Sequence, residues 1–179
     1  MDYAARLQSD SIRSQLSAAV FLGGEGADGV PFVPALLTAC GRIDPNRPVM
    51  SCYEAWLLSS GAMSFGSVLN AVGFDESDSL HCDALDWLLR LSHAQNPEPV
   101  AGSIYGLERV GIPPIEVRNR LCELVVAERR CHDHPVVTAR ALAFRALSRI
   151  DRRTAQAYVV SAACREYLAC IDHWIGEST

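Results

Sequence analysis

The stretch from Pro45 to Met63, PNRPVMSCYEAWLLSSGAM, decides how the rest of the chain is read. A loop bounded by Pro45 and Pro48 runs into an apolar segment, long and helix-favouring, that sets a central helix over about residues 50–63. Gly61 and Ser64 weaken its far end, and Phe65 to Val72 add another turn or two. Cys52 falls in or just before the first turn. Unpaired backbone N–H groups and the helix dipole favour a thiolate at such a position.

Working outward, the flanking segments share the helical period. Tyr3, Leu7, Ile12, Leu16, Ala19 and Val20 form a loose stripe over residues 2–20. Gly23, Gly24, Gly26 and Gly29 then make a connecting loop that ends at Pro31. It lacks the spacing of a phosphate cradle, and Glu25 and Asp28 would repel an anion. Pro34 opens a short helix that Gly41 ends. An acidic linker over 74–78 leads to a helix over about 79–94, capped by Ser77 or Ser79, that buries Leu80, Ala84, Trp87, Leu88 and Leu91.

Asn96-Pro97-Glu98-Pro99 reads as a break. Over 100–112, Ile104, Tyr105 and Val110 suit a strand that the glycines would keep short, so at most a minor strand pair is expected there. Helices follow over 114–130, 136–149 and Asp151 to about Trp174. The expectation is an all-α fold, one helical domain over 1–179, with about seven helices joined by short loops. Its core is expected to include Trp56, Leu57, Trp87, Leu88, Leu121, Val125, Phe144, Tyr158 and Leu168.

The composition narrows the function classes. Apolar residues make up 49% and charged residues 21%, ordinary values for a globular protein, and no apolar run reaches the ~20 residues that span a bilayer. Met1-Asp2 begins no basic, apolar leader, which points to a cytoplasmic protein. All sixteen basic residues are arginines, so a Schiff-base lysine is excluded, and with the abundant alanine this points to a GC-rich, bacterial coding bias. A net charge of −5 argues against nucleic acid as a partner. Residues 1–100 hold five Arg against twelve Asp and Glu, and residues 101–179 hold eleven against nine. Seven cysteines, an odd number without a CxxC pair, do not make a disulfide framework or a zinc ribbon.

Three clusters carry candidate chemistry. The run SCYEAW around Cys52 resembles, over six residues, the helix-opening cysteine of papain-like thiol enzymes, a group of peptidases, amidases and acyl transferases. The resemblance implies a nucleophilic Cys52 and a histidine base. Those enzymes place that histidine on a strand, and no good strand is evident here. Without catalysis, Cys52 would pack in the core beside Trp56, four residues on. The second cluster is Cys131-His132-Asp133-His134. His132 or His134 is the candidate base and Asp133 its orienting acid; the same loop also suits a helix cap or, with His81 or Cys82 added, a metal. The third is His81-Cys82-Asp83, where nearby acids disfavour a thiolate and His81 is expected among them at the surface.

Three functions are therefore carried forward. The first is a cysteine-dependent hydrolase or acyl/amide transferase, with Cys52 attacking a carbonyl of a small-molecule or peptide substrate and needing no cofactor. The second is a non-catalytic binding protein that holds a protein partner through its acidic first half or its arginines at 140, 145, 149, 152 and 153. The third is a helical metalloenzyme.

Overall fold

A computed structural model describes residues 2–110, 115–126 and 139–159. Among them the chain forms α1 (Tyr3–Gln8), α2 (Ile12–Leu22), a 3-10 helix (Gly26–Phe32), α3 (Val33–Gly41), α4 (Cys52–Val72), α5 (Ser79–Leu91), α6 (Pro97–Arg109), α7 (Ile115–Val126), α8 (Ala139–Ile150) and α9 (Arg152–Val159). No strand occurs among the described residues, and the fold is all-α. The buried side chains form one continuous cluster from Tyr3 to Ala155.

Several elements differ from the sequence expectation, each for a physical reason. The first helix is two, because Ser11 caps a new start by accepting a hydrogen bond from the Ser14 N–H at 3.4 Å. The glycine loop winds into the 3-10 helix, with Pro31 inside it. Asp78, not a serine, caps α5, accepting from the N–H of Leu80 at 2.8 Å. The Asn96–Pro99 segment begins a helix instead of breaking the chain. The Asn96 side chain accepts from the Glu98 N–H at 3.1 Å, and Pro97 takes the first position, where it forfeits no hydrogen bond.

The glycines that argued for a strand over 100–112 serve the packing of α6 on α4. A Cβ on Gly102 would lie 2.4 Å from Ser59 Cα, and one on Gly106 would lie 2.4 Å from the Ala62 carbonyl oxygen. A Cβ on Gly66 would lie 2.2 Å from the Gly106 carbonyl oxygen. The two helices therefore pack backbone against backbone, which only glycine permits at those points. The same contacts explain why α4 runs unbroken for 21 residues, through Gly61, Ser64 and Gly66. Burial against α2, α3 and α6 outweighs their weak helix propensity.

Leu57, Leu88 and Leu121 are fully buried and Trp87, Val125 and Phe144 nearly so, as expected of the core. Trp56 is not: it is 47% exposed. Tyr158 is only partly buried, and Leu168 lies outside the described residues. No described helix is long and apolar enough to cross a membrane. The described cysteines Cys40, Cys52, Cys82 and Cys122 are free thiols, and Cys40, wholly buried, is pushed up to about 12 by loss of hydration.

Candidate functional site

Cys52 is the first residue of α4 and is exposed, so the expectation that it packs in the core does not hold. Ser51 and Glu54 form a reciprocal capping box just ahead of it. The Ser51 hydroxyl accepts from the Glu54 N–H at 3.3 Å, and the Glu54 carboxylate accepts from the Ser51 N–H at 2.9 Å. Glu54 also pairs with Arg47. The Ser51 hydrogen bonds hold the Glu54 carboxyl below the usual carboxylate range. The opening of α4 is therefore already served by an anion of the chain's own. His132, Asp133 and His134, the proposed base and orienting acid, lie outside the described residues, as does Cys131.

Cys52 and Trp56 do share a face of α4, but it is the solvent face. At 100° per residue, Cys52, Trp56, Ser60, Met63 and Ser67 fall on one stripe. On one side of it, Ser64 donates to the Ala19 carbonyl of α2 at 2.5 Å. On the other, Ser59 and Gly66 meet Gly102 and Gly106 of α6. The stripe is thus the floor of a trough with α2 and α6 as walls. Arg13 faces Tyr53 and Ala19 faces Ser64, while Gly102 faces Ser59 and Arg109 faces Met63, so both walls run in the same sense as α4.

The two ends of the trough carry its chemistry. At the opening of α4, Tyr53 and Trp56 meet edge to face with centroids 5.7 Å apart, and the Arg13 guanidinium lies 4.8 Å from the Tyr53 ring. Further along, an open cleft of about 330 Å³ is lined by Val20, Gly24, Ser60, Met63 and Arg109. Arg109 donates to Ser67 Oγ at 2.7 Å and to the Met63 carbonyl at 3.5 Å. Val20, 55% exposed, adds apolar surface on the α2 wall. The sequence reading missed this trough because it placed Trp56 and Val20 inside. Arg13, three residues short of Leu16 on a loosely patterned helix, carried no signal of its own.

The other candidates are engaged elsewhere. The Arg-rich α8 is not a solvated face. Arg145 donates to Glu108 at 2.7 Å and stacks on Tyr105 at 4.6 Å, Arg149 also pairs with Glu108, and Arg140 donates to the Val126 carbonyl at 3.2 Å. Glu108 is 95% buried by its side chain, which exposes only 5% of its surface, so this is an interhelical clamp between α6 and α8. His81 is buried, not at the surface. It takes a backbone N–H from Asp75 at 3.0 Å and stacks on Phe74, with centroids 5.9 Å apart. Among the described residues no group of three His, Cys, Asp or Glu is placed to hold a metal ion.

Fold and trough together define a class, an all-α helical bundle with an aromatic and basic groove between three of its helices. Compared with protein-family models, with curated proteins and with solved structures, the chain matches none.

Proposed function

We propose that the chain is a non-catalytic binding protein that holds an apolar, acidic segment of a partner protein in the trough between α2, α4 and α6. The observation that carries this reading is Trp56. A half-exposed tryptophan, backed by Tyr53 and Arg13, has the residue types in which binding energy concentrates. Charge sets the partner's sign. The first hundred residues hold only five arginines against twelve acids, yet Arg13 lies on the trough and Arg109 joins it from α6. Among the described residues neither has a carboxylate partner, whereas Arg47, Arg118, Arg120, Arg145 and Arg149 all do. Two such cations favour acidic groups on the occupant.

A displayed library of amphipathic peptides, acidic and basic in equal numbers, tests the reading. Acidic members should bind, Trp56→Ala should weaken the selected ones by about 30-fold or more, and Arg13→Glu with Arg109→Glu should turn the preference to basic members. Binders indifferent to all three changes would sink it.

Cys52 favours a second reading, a cysteine-dependent hydrolase or transferase, because its thiol is exposed on the first turn of α4. In that reading His132 or His134 takes the thiol proton, Asp133 orients the imidazole, and α4 N–H groups stabilise the oxyanion. Iodoacetamide at neutral pH should then label Cys52 at least about 10-fold faster than Cys82 or Cys122, and replacing the true base should remove the difference. Equal rates for the three thiols would remove the cysteine-dependent reading.

A further inference from the structure

We infer that His81 is a pH-operated latch that holds the 73–78 loop over the cleft between α5 and α7. Imidazole Nδ1 accepts a hydrogen bond only while it is unprotonated, and here it accepts the Asp75 N–H at 3.0 Å. The ring is buried and lies nearly parallel to Phe74, at 27°. Both contacts come from the loop, so one side chain of α5 fixes it at two successive residues. Gly73, at φ +79°, makes the turn out of α4 in a conformation that glycine adopts without strain.

Protonation makes Nδ1 a donor that faces another donor. The Asp75 N–H then loses its partner, and the loop loses the bond that seats Phe74. Beneath the loop, a cleft of about 340 Å³ is lined by Phe74, Glu76, Cys82, Ile115 and Glu116, among others. The Cys82 thiol donates to the Glu76 carbonyl at 3.3 Å, so release of the loop also frees that thiol.

Several charged groups lie near the ring or on the elements around it. Asp75 acts on it electrostatically from the loop, which also carries Glu76 and Asp78; Cys82, Asp83 and Asp86 belong to its own helix, and Glu116 faces the cleft from α7. The end of α4, over 69–73, carries no titratable residue, and from α6 Glu108 and Arg109 are engaged with Arg145, Arg149 and Ser67. Asp75 already acts on the ring in the closed form, so opening is driven by the loss of the Nδ1 hydrogen bond and by the cost of a buried charge, not by the carboxylates. The latch is closed while the imidazole is unprotonated and opens as it takes its proton.

Hydrogen exchange of the Asp75 amide, followed by NMR at about pH 8 and about pH 5 and corrected for intrinsic base catalysis, tests this. Protection should be present at the higher pH and fall at least about 10-fold at the lower, while amides in the middle of α5 keep theirs. His81→Asn leaves a non-titrating acceptor near the Nδ1 position and should hold protection at both pH values, and His81→Leu should lose it at both. Equal wild-type protection at the two pH values overturns the inference without any variant, and so does an unchanged pH response in His81→Asn.

Discussion

Gly66 and Trp56 stand ten residues apart on α4, and their surroundings are opposites. Around Gly66 the helix is pressed so closely on α6 that a single Cβ would meet a carbonyl oxygen at 2.2 Å. Around Trp56 one of the largest side chains in the chain stands half in water. Residue hydrophobicity would assign the two positions the other way round. The middle of α4 is therefore built for close approach, and its opening is left free to meet something else.

The sharpest way to break this comparison is to add bulk at the tight end. Gly66→Val should cost about 5 kcal/mol or more, so that little folded protein accumulates, because the atoms in its way are the backbone of Gly106 and no side chain can yield. Far-UV circular dichroism and urea titration would measure it. A folded variant of near wild-type stability would mean that α4 and α6 are not in backbone contact.

Deleting bulk nearby should cost less. Leu88 is fully buried, and its Cδ2 would lie 2.8 Å from a Cβ on Gly106, so it helps fill the seam beside the two helices. Leu88→Ala should lose about 2–5 kcal/mol, the spread reflecting how far the seam can close. A loss below about 1 kcal/mol would put Leu88 outside the α4–α6 core.

At the open end the costs become small and pH-dependent. Ser51→Ala removes one half of the capping box and should lose about 1 kcal/mol. The Glu54 carboxyl is held below its usual range by Ser51, first through the hydroxyl and then through the N–H. Its contribution is therefore complete above the unfolded value of about 4.3 and is lost as pH falls through the lower folded one. Urea midpoints of Ser51→Ala and wild type should draw closer from pH 6 downward in that acid window, the remaining gap being the Glu54 N–H bond to the Ser51 hydroxyl. A gap of the same size in strong acid as at pH 6 would show that the serine acts only through the Glu54 N–H and not on the carboxylate.

The smallest effect belongs to Trp56. Trp56→Ala should change stability by about 0.5–1 kcal/mol, mostly through the lost Tyr53 contact, while removing the central contact of the proposed trough. A thermal melt lowered as far as that of Leu88→Ala would make Trp56 a core residue and close the trough.

How much of this the residues announce depends on the element. The α5 stripe of Ala84, Leu88 and Leu91 repeats at the helical period and was legible as a buried face, because a half-buried helix writes its burial into its spacing. α4 is buried along most of its length, so its pattern names no single solvent face, and Trp56 was assigned inward on hydrophobicity alone. Cys52 was legible as a helix opener from its place after the proline loop. Its exposure was not, since that depends on where α2 and α6 stop.

Local chemistry determined the all-α class, the loop before Cys52 and the proline-led start of α3, because period, capping and fixed φ act within a few residues. Only the tertiary structure decided that Gly102 and Gly106 are contacts and not strand breakers, that Arg145 and Arg149 clamp Glu108, and that Trp56 and Arg13 meet the solvent together. Each of those outcomes depends on a partner at least 37 residues away in sequence, as Glu108 is from Arg145, and no short-range pattern encodes which distant surface a side chain will meet.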